Sequence, residues 1–382
     1  VISLGITCGQ SCGACFPQPS STIINPIYNI YYYKRALPTM ASRFLDTLSG
    51  TPHTPPPVWL MRQAGRYMAD YRALRSSEPD FISFCLNSDK ASQVTLQPIN
   101  RFGFDAAIIF SDILLVPWAL KRNVRFVTGT GPLLDPLERV TDIDLSHLDD
   151  IKTTLAPVGE AIQKTRAALP VDTALIGFAG APWTIITYML EGQSSRDFPA
   201  ARKWLWANDR EFDNLLDIVT EATIEFLALQ ADAGADALML FDSWASAVPA
   251  HYRDRIVSDP AAHIITSLRK RGIMQPVIGF PKGIGEGLVR YCDITGVQAV
   301  GIDHGTDLAW AARTLPEDVV LQGNLDPLAL IGGGTAMQDA VAHILDVCDG
   351  RPHIFNLGHG ITPETPLAHV DALVSMIRGS DI

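Results

Sequence analysis

The sequence predicts an α/β protein, a single (β/α)8 TIM barrel whose active site lies at the C-terminal rim. From Pro57 onward, short apolar runs alternate with long helical patterns, the signature of βα units and a parallel sheet. Eight such runs fit into roughly 320 residues, which suits one closed barrel better than two domains. The residues that follow the runs are mostly polar, as expected of loops gathered at one mouth. A doubly wound open sheet is the alternative, and strand count is the internal reason to prefer closure.

In chain order, the expected strands are Val58 to Met61, Ala106 to Phe110, Ala174 to Phe178, Ala237 to Phe241, Pro276 to Phe280, Ala299 to Ile302, Val319 to Leu321 and His353 to Leu357. Amphipathic stretches separate them. In Asp209 to Ala233, Phe212, Leu215, Leu216, Val219, Ile224, Leu227 and Ala228 recur at helical spacing. The exits read Arg62-Gln63, Ser111-Asp112, Ala179-Gly180, Asp242-Ser243, Pro281-Lys282, Asp303-His304, Gly323-Asn324 and Gly358-His359. All but the third deliver a polar side chain to the same rim. Any single polar exit is explained by loop solvation, so the weight lies on the set.

Composition narrows the function. A net charge of -11 and a pI near 5.2 argue against a nucleic-acid partner, which needs a basic face. No run approaches the eighteen or so apolar residues of a membrane span. An acidic protein also repels anionic ligands, so any such ligand must be held by a local cluster of cations. That cluster is Arg62, Arg66, Arg72 and Arg75, which share fourteen residues with one acid, Asp70. A solvated helix usually interleaves both signs, so an anion-binding mouth is the better reading. A helix starting near Ala64 would set Arg62 and Arg66 one turn apart at its positive end.

Cys85, Cys292 and Cys348 lie far apart in strongly patterned segments, as reduced structural thiols do, and point to a cytoplasmic location. Cys8, Cys12 and Cys15 have a spacing similar to iron–sulfur ligands, but the Pro/Ser/Tyr-rich stretch from Pro17 to Tyr33 offers no strand and loop to support a cluster. Residues 1–39 are therefore expected to form an unstructured extension, with no clean signal peptide, and 40–382 the folded domain. Gly283-x-Gly285-x-Gly287 and Gly332-Gly333-Gly334 match neither dinucleotide nor P-loop spacing and read as turns.

The arginine-rich segment Val58 to Arg75 resembles the N-terminal signature of the uroporphyrinogen decarboxylase family. Gly177-Phe178-Ala179-Gly180-Ala181-Pro182-Trp183-Thr184-Ile185-Ile186-Thr187-Tyr188-Met189-Leu190-Glu191-Gly192 is similar to a second signature. Ile109 to Leu114, Phe241-Asp242-Ser243, Gly279 to Gly283, Gly323 to Pro327 and Asn356 to Gly360 extend the resemblance over roughly residues 40 to 380. It departs at Met68-Ala69-Asp70, where the family more often has leucine, proline and glutamate.

The resemblance implies removal of carbon dioxide from the four acetates of uroporphyrinogen to give coproporphyrinogen in heme biosynthesis, with no metal or organic cofactor, by a homodimer with facing mouths. It implies that Arg62, Gln63, Ala64, Gly65 and Arg66 contact substrate carboxylates, with Arg75 adding charge. Asp112 would be the catalytic anion that accepts pyrrole N–H groups at the substrate's centre. Tyr188 and Ser243 would bind carboxylates or orient Asp112, and His359 would bind a carboxylate or relay protons. Three of these have a plain structural reading as well, helix capping for Asp112, core packing for Tyr188 and a loop cap for Ser243, whereas His359 between two glycines is harder to read as core. Two competing functions are a non-catalytic tetrapyrrole carrier, which would not need Asp112, and a zinc-dependent corrinoid methyltransferase. The latter needs converging thiolate and imidazole ligands, and Cys292 and Cys348 lack a His-x-Cys neighbour.

Overall fold

A computed structural model describes residues 42–127, 129–195, 197–207 and 209–379. The extension, with Cys8, Cys12 and Cys15, lies outside the described residues. Seven parallel strands form one curled sheet: β1 (Ala106–Ile108), β4 (Ala174–Gly180), β5 (Ala237–Asp242), β6 (Val277–Pro281), β7 (Ala299–Gly301), β8 (Val320–Leu325) and β9 (His353–Leu357), neighbours in that order. An antiparallel hairpin of β2 (Arg125–Val127) and β3 (Gly131–Leu133) stands apart from it. Helices follow the sheet strands, so strands such as β4, β6 and β9 are buried throughout and read as apolar runs without polar alternation.

The run expected as the first strand, Val58 to Met61, forms no strand of its own. Val58 makes one parallel bridge to Phe355 of β9. On one side Phe355 N–H donates to the Pro57 carbonyl and Trp59 N–H to the Phe355 carbonyl; on the other, Asp105 N–H donates to the Val58 carbonyl at 2.9 Å. Both edges of the sheet thus meet the same segment. The ladder is cut short because Pro55, Pro56 and Pro57 have no N–H to give. Beyond the bridge, side chains capture the backbone: Leu60 N–H donates to Gln63 Oε1 and Met61 N–H to Asn356 Oδ1.

The sequence also misplaced several boundaries; β4, for one, runs on through the expected exit Ala179-Gly180. The helix expected near Ala64 spans Ala69–Arg75, and residues 61–68 are turns with Arg62 at φ 63°. Here the Gln63 carbonyl accepts the Tyr67 hydroxyl at 2.6 Å, and the Gln63 amide donates to the Ala106 carbonyl, so the segment is tied to β1. β8 runs on to Leu325, so the expected exit Gly323-Asn324 lies inside the strand, and its apolar pattern ends before its hydrogen bonds to β9 do. The long helix Asp209–Asp232 forms as its periodicity predicts, with Phe212, Leu215, Leu216 and Val219 buried.

Candidate active site at the C-terminal rim

Side-chain parity defines the inner face of the sheet. A Cβ on Gly177 would meet Gln230, and one on Gly279 would meet Tyr291, both on helices outside the sheet. The alternate residues Phe178, Phe241 and Phe280 therefore point inward. Their rings pack edge to face, Phe178 on Phe241 at 5.5 Å and Phe241 on Phe280 at 6.1 Å, an apolar wall below the strand exits. Phe241 stays half-buried.

Above this wall, the polar groups share Arg62 as a common neighbour. The Arg62 stem crosses Gly360, where any Cβ would collide with its Cδ and Cγ, so glycine at 360 is a steric requirement. Its positive charge bears on Asp112, Tyr188 and His359. Residues from the exits of the first run, β1, β4 and β9 are thereby brought to one place. Arg62 and Arg66 are exposed, and no ion pair among the described residues takes up either guanidinium. Sequence reasoning did not single out Lys282, whose charge bears on His359 from the β6 exit. Its signal was present in the Pro281-Lys282 exit.

Asp112 follows β1, half-buried at the base of this group. Burial pushes its carboxyl up to about 6, opposed by the Leu114 N–H, which donates to Oδ1 at 2.8 Å, and by Arg62. The capping-type hydrogen bond expected of an ordinary loop aspartate is thus present, but it uses one oxygen. The other has no hydrogen bond among the described residues.

Tyr188 sits on the helix Pro182–Glu191, whose residues from Pro182 to Leu190 are all buried. Burial raises its hydroxyl pKa, and its ring lies 6.5 Å from Trp244. His359 is lowered to about 4, first by burial and then by Arg62, Lys282 and His304. Its Nδ1 accepts the Gly360 N–H at 2.7 Å. A neutral ring accepting at Nδ1 carries its proton on Nε2, so His359 is a donor at neutral pH.

Gln63 is fully buried and holds backbone. Ala64 and Gly65 are half-buried in the same turn, and a Cβ on Gly65 would lie 3.0 Å from the Arg62 carbonyl oxygen. Arg75 stands over the Phe81 and Phe84 rings at 5.9 and 5.8 Å and donates to the Glu78 carbonyl. Ser243 is half-buried beside Asp242. Asp242 points away from the mouth: Oδ1 accepts the Thr184 hydroxyl at 2.5 Å, Oδ2 is buried without a partner, and burial pushes the carboxyl up to about 7.

Among the described residues no group of three or more His, Cys, Asp or Glu side chains converges as a metal site would require. Cys292 and Cys348, the thiols a zinc reading would need, are both pushed up to about 12 by burial. No described helix is long and apolar enough to cross a membrane.

The family model described as uroporphyrinogen decarboxylase (URO-D) matches residues 39–380. A uroporphyrinogen decarboxylase of Maricaulis maris (strain MCS10) is 49% identical over 334 residues, covering 87% of this chain and 96% of its own length. One from Rhizorhabdus wittichii is 47% identical, with 90% and 99% covered. A methyltransferase from Methanosarcina mazei superposes with a TM-score of 0.73 at 18% identity, covering 88% and 97%, which speaks to fold alone.

Proposed function

This chain belongs to the uroporphyrinogen decarboxylase family, and on that premise we propose how its rim carries the reaction. The activity is that of a carboxy-lyase, converting the acetate side chains of uroporphyrinogen to methyl groups with loss of carbon dioxide. The observation that carries the residue assignment is Asp112: a recessed carboxylate with one uncommitted oxygen, beside a cation that no acid neutralises.

The pyrrole acts as its own electron sink, with no metal or organic cofactor. A proton added at a ring carbon makes an iminium. The bond between the acetate methylene and its carboxylate then breaks, its electron pair enters the ring, and carbon dioxide leaves. The exocyclic methylene takes a proton to become methyl, and the ring proton is returned. Asp112 holds the pyrrole N–H groups and stabilises the positive charge that develops on the ring. Arg62 and Arg66 hold carboxylates bidentately and set the orientation. Tyr188 and Ser243 add hydrogen bonds, Arg75 adds charge at a distance, and neutral His359 donates from Nε2. The backbone of Gln63, Ala64 and Gly65 completes the carboxylate contacts, and the Phe241 face supports the macrocycle.

The same reading takes 57–59 as the eighth member of a closed barrel, supported by its hydrogen bonds to both sheet edges. It takes the protein as a homodimer with facing mouths, checked by sedimentation velocity. A cytoplasmic location is supported by the free, buried Cys85, Cys292 and Cys348. The test of function is anaerobic incubation of metal-free protein with uroporphyrinogen III, followed by separation of the oxidised porphyrins by carboxylate number. Stepwise loss of carboxylates by the wild type, sharply reduced in Asp112→Asn, is the expected result. Tight binding with no product would leave a carrier in place of an enzyme.

A further inference from the structure

A cavity of ≈ 310 Å³ opens beside the mouth, lined by Arg202, Arg253, Ser246 and Asp197. It stands against the β5 and β6 exits: a Cβ on Gly283 would lie 3.0 Å from the Ser246 Cβ, and Arg253 donates to the Ile284 carbonyl at 3.2 Å. Arg202 comes from the helix Pro199–Ala207 and Arg253 from the loop after β5, so residues distant in sequence supply two cations to one hollow.

The Nε atoms of both arginines are shut off from solvent and have no hydrogen-bond acceptor among the described residues. Arg122 and Arg351 also have such a nitrogen. Arg351 donates through its other nitrogens to the carbonyls of Ala312, Leu315, Pro316 and Val319, Arg122 to that of Asp135 and Arg253 to that of Ile284, whereas Arg202 donates to none among the described residues. Arg202 and Arg253 are the pair that share a cavity, and no ion pair among the described residues takes up either one. Asp197, the acid on the same wall, is exposed and leaves the hollow with a net positive charge.

A buried, unsatisfied N–H is destabilising because it has given up water without gaining an acceptor. Two guanidinium groups and a hydroxyl lining one hollow match the chemistry of a planar or tetrahedral oxyanion. We propose that this cavity is a second anion site, separate from the Arg62–Arg66 mouth, that binds a carboxylate or phosphate-type group through Arg202, Arg253 and Ser246. The group comes either from the rim of the tetrapyrrole, a source that rests on the function proposed above, or from a free anion of the same chemistry.

The test is calorimetric titration of citrate and of inorganic phosphate into the full chain. Saturable binding of at least one probe is expected in the wild type, and it persists in Arg62→Gln with Arg66→Gln. It weakens at least tenfold in Arg202→Gln with Arg253→Gln and returns in the corresponding lysine pair. Asp197→Asn, at an exposed position, strengthens it several-fold, an outcome that misfolding cannot imitate. A KM for uroporphyrinogen raised several-fold in the glutamine pair, with kcat unchanged, identifies the tetrapyrrole as the source; an unchanged KM with lost citrate or phosphate binding identifies a free anion. Absence of saturable binding in the wild type, or binding abolished by the mouth pair and untouched by the cavity pair, overturns the proposal. Decarboxylation by the wild-type preparation is read separately, so a failure of the cavity and a failure of the function are told apart.

Discussion

The two ends of the sheet use arginine in opposite ways. Where strands begin, four arginines are committed: Arg166 to Asp236 before β5, Arg378 to Asp105 before β1, Arg269 to the Ile273 and Gln275 carbonyls before β6, and Arg351 to four carbonyls below β8. Where strands end, Arg62 and Arg66 stand without acidic partners beside the half-buried Asp112. A saturated guanidinium staples backbone together, whereas an unsaturated one keeps its hydrogen bonds for a ligand. On the proposed reading one residue type serves stability at one end and recognition at the other, as expected when barrel-like enzymes place chemistry at the C-terminal ends of strands.

The sharpest way to break this contrast is at Asp112. Asp112→Asn keeps the shape and removes the charge, and is expected to lower kcat by about 10²–10³-fold with the unfolding midpoint little changed. Next is Arg62→Lys, which keeps the charge but loses the fork. A fall of about 10–100-fold in kcat/KM, mostly through KM, is expected from steady-state assays. At the opposite end, Arg351→Met should lower stability by about 2–4 kcal/mol in urea unfolding while activity per folded molecule is kept. If Arg351→Met impaired turnover instead, the division of labour between the ends would fail.

Two smaller effects follow from protonation. On the proposed reading the ionised form of Asp112 is the competent one, and its carboxyl is pushed up to about 6. The pH profile of kcat/KM should then fall on the acid side with a midpoint near 6, and His359, lowered to about 4, should leave no break near its usual value. Asp242 reports on stability rather than rate. Its pKa is raised from 3.8 to about 7, so the folded chain holds this proton more firmly than the unfolded chain. The resulting stabilisation is present at acid pH and is lost as pH rises from 3.8 through about 7. Melting temperatures across that range should decline less in Asp242→Asn than in the wild type.

Much of the site was legible because strand exits are local features. Asp112, Lys282 and His359 each follow an apolar run, and the run tells the reader which end they occupy. The turn at 61–68 was not legible in this way. Its form depends on Gln63 reaching Ala106 and on Asn356 capturing the Met61 N–H, contacts 43 and 295 residues apart in sequence. No local periodicity encodes such bonds, and an arginine-rich stretch with good helix formers reads as helix until they are known.

By itself, the sequence determined the alternation of strand and helix, the family, and the cluster of arginines with few acids, because period, spacing and charge are properties of short segments. Only the tertiary structure decided that the first run is a bridge, that Arg62 crosses Gly360, and that Asp242 faces outward while Asp112 lies beside Arg62. Those outcomes depend on which distant groups compete for the same hydrogen bonds and the same space, and that competition exists only once the sheet has curled.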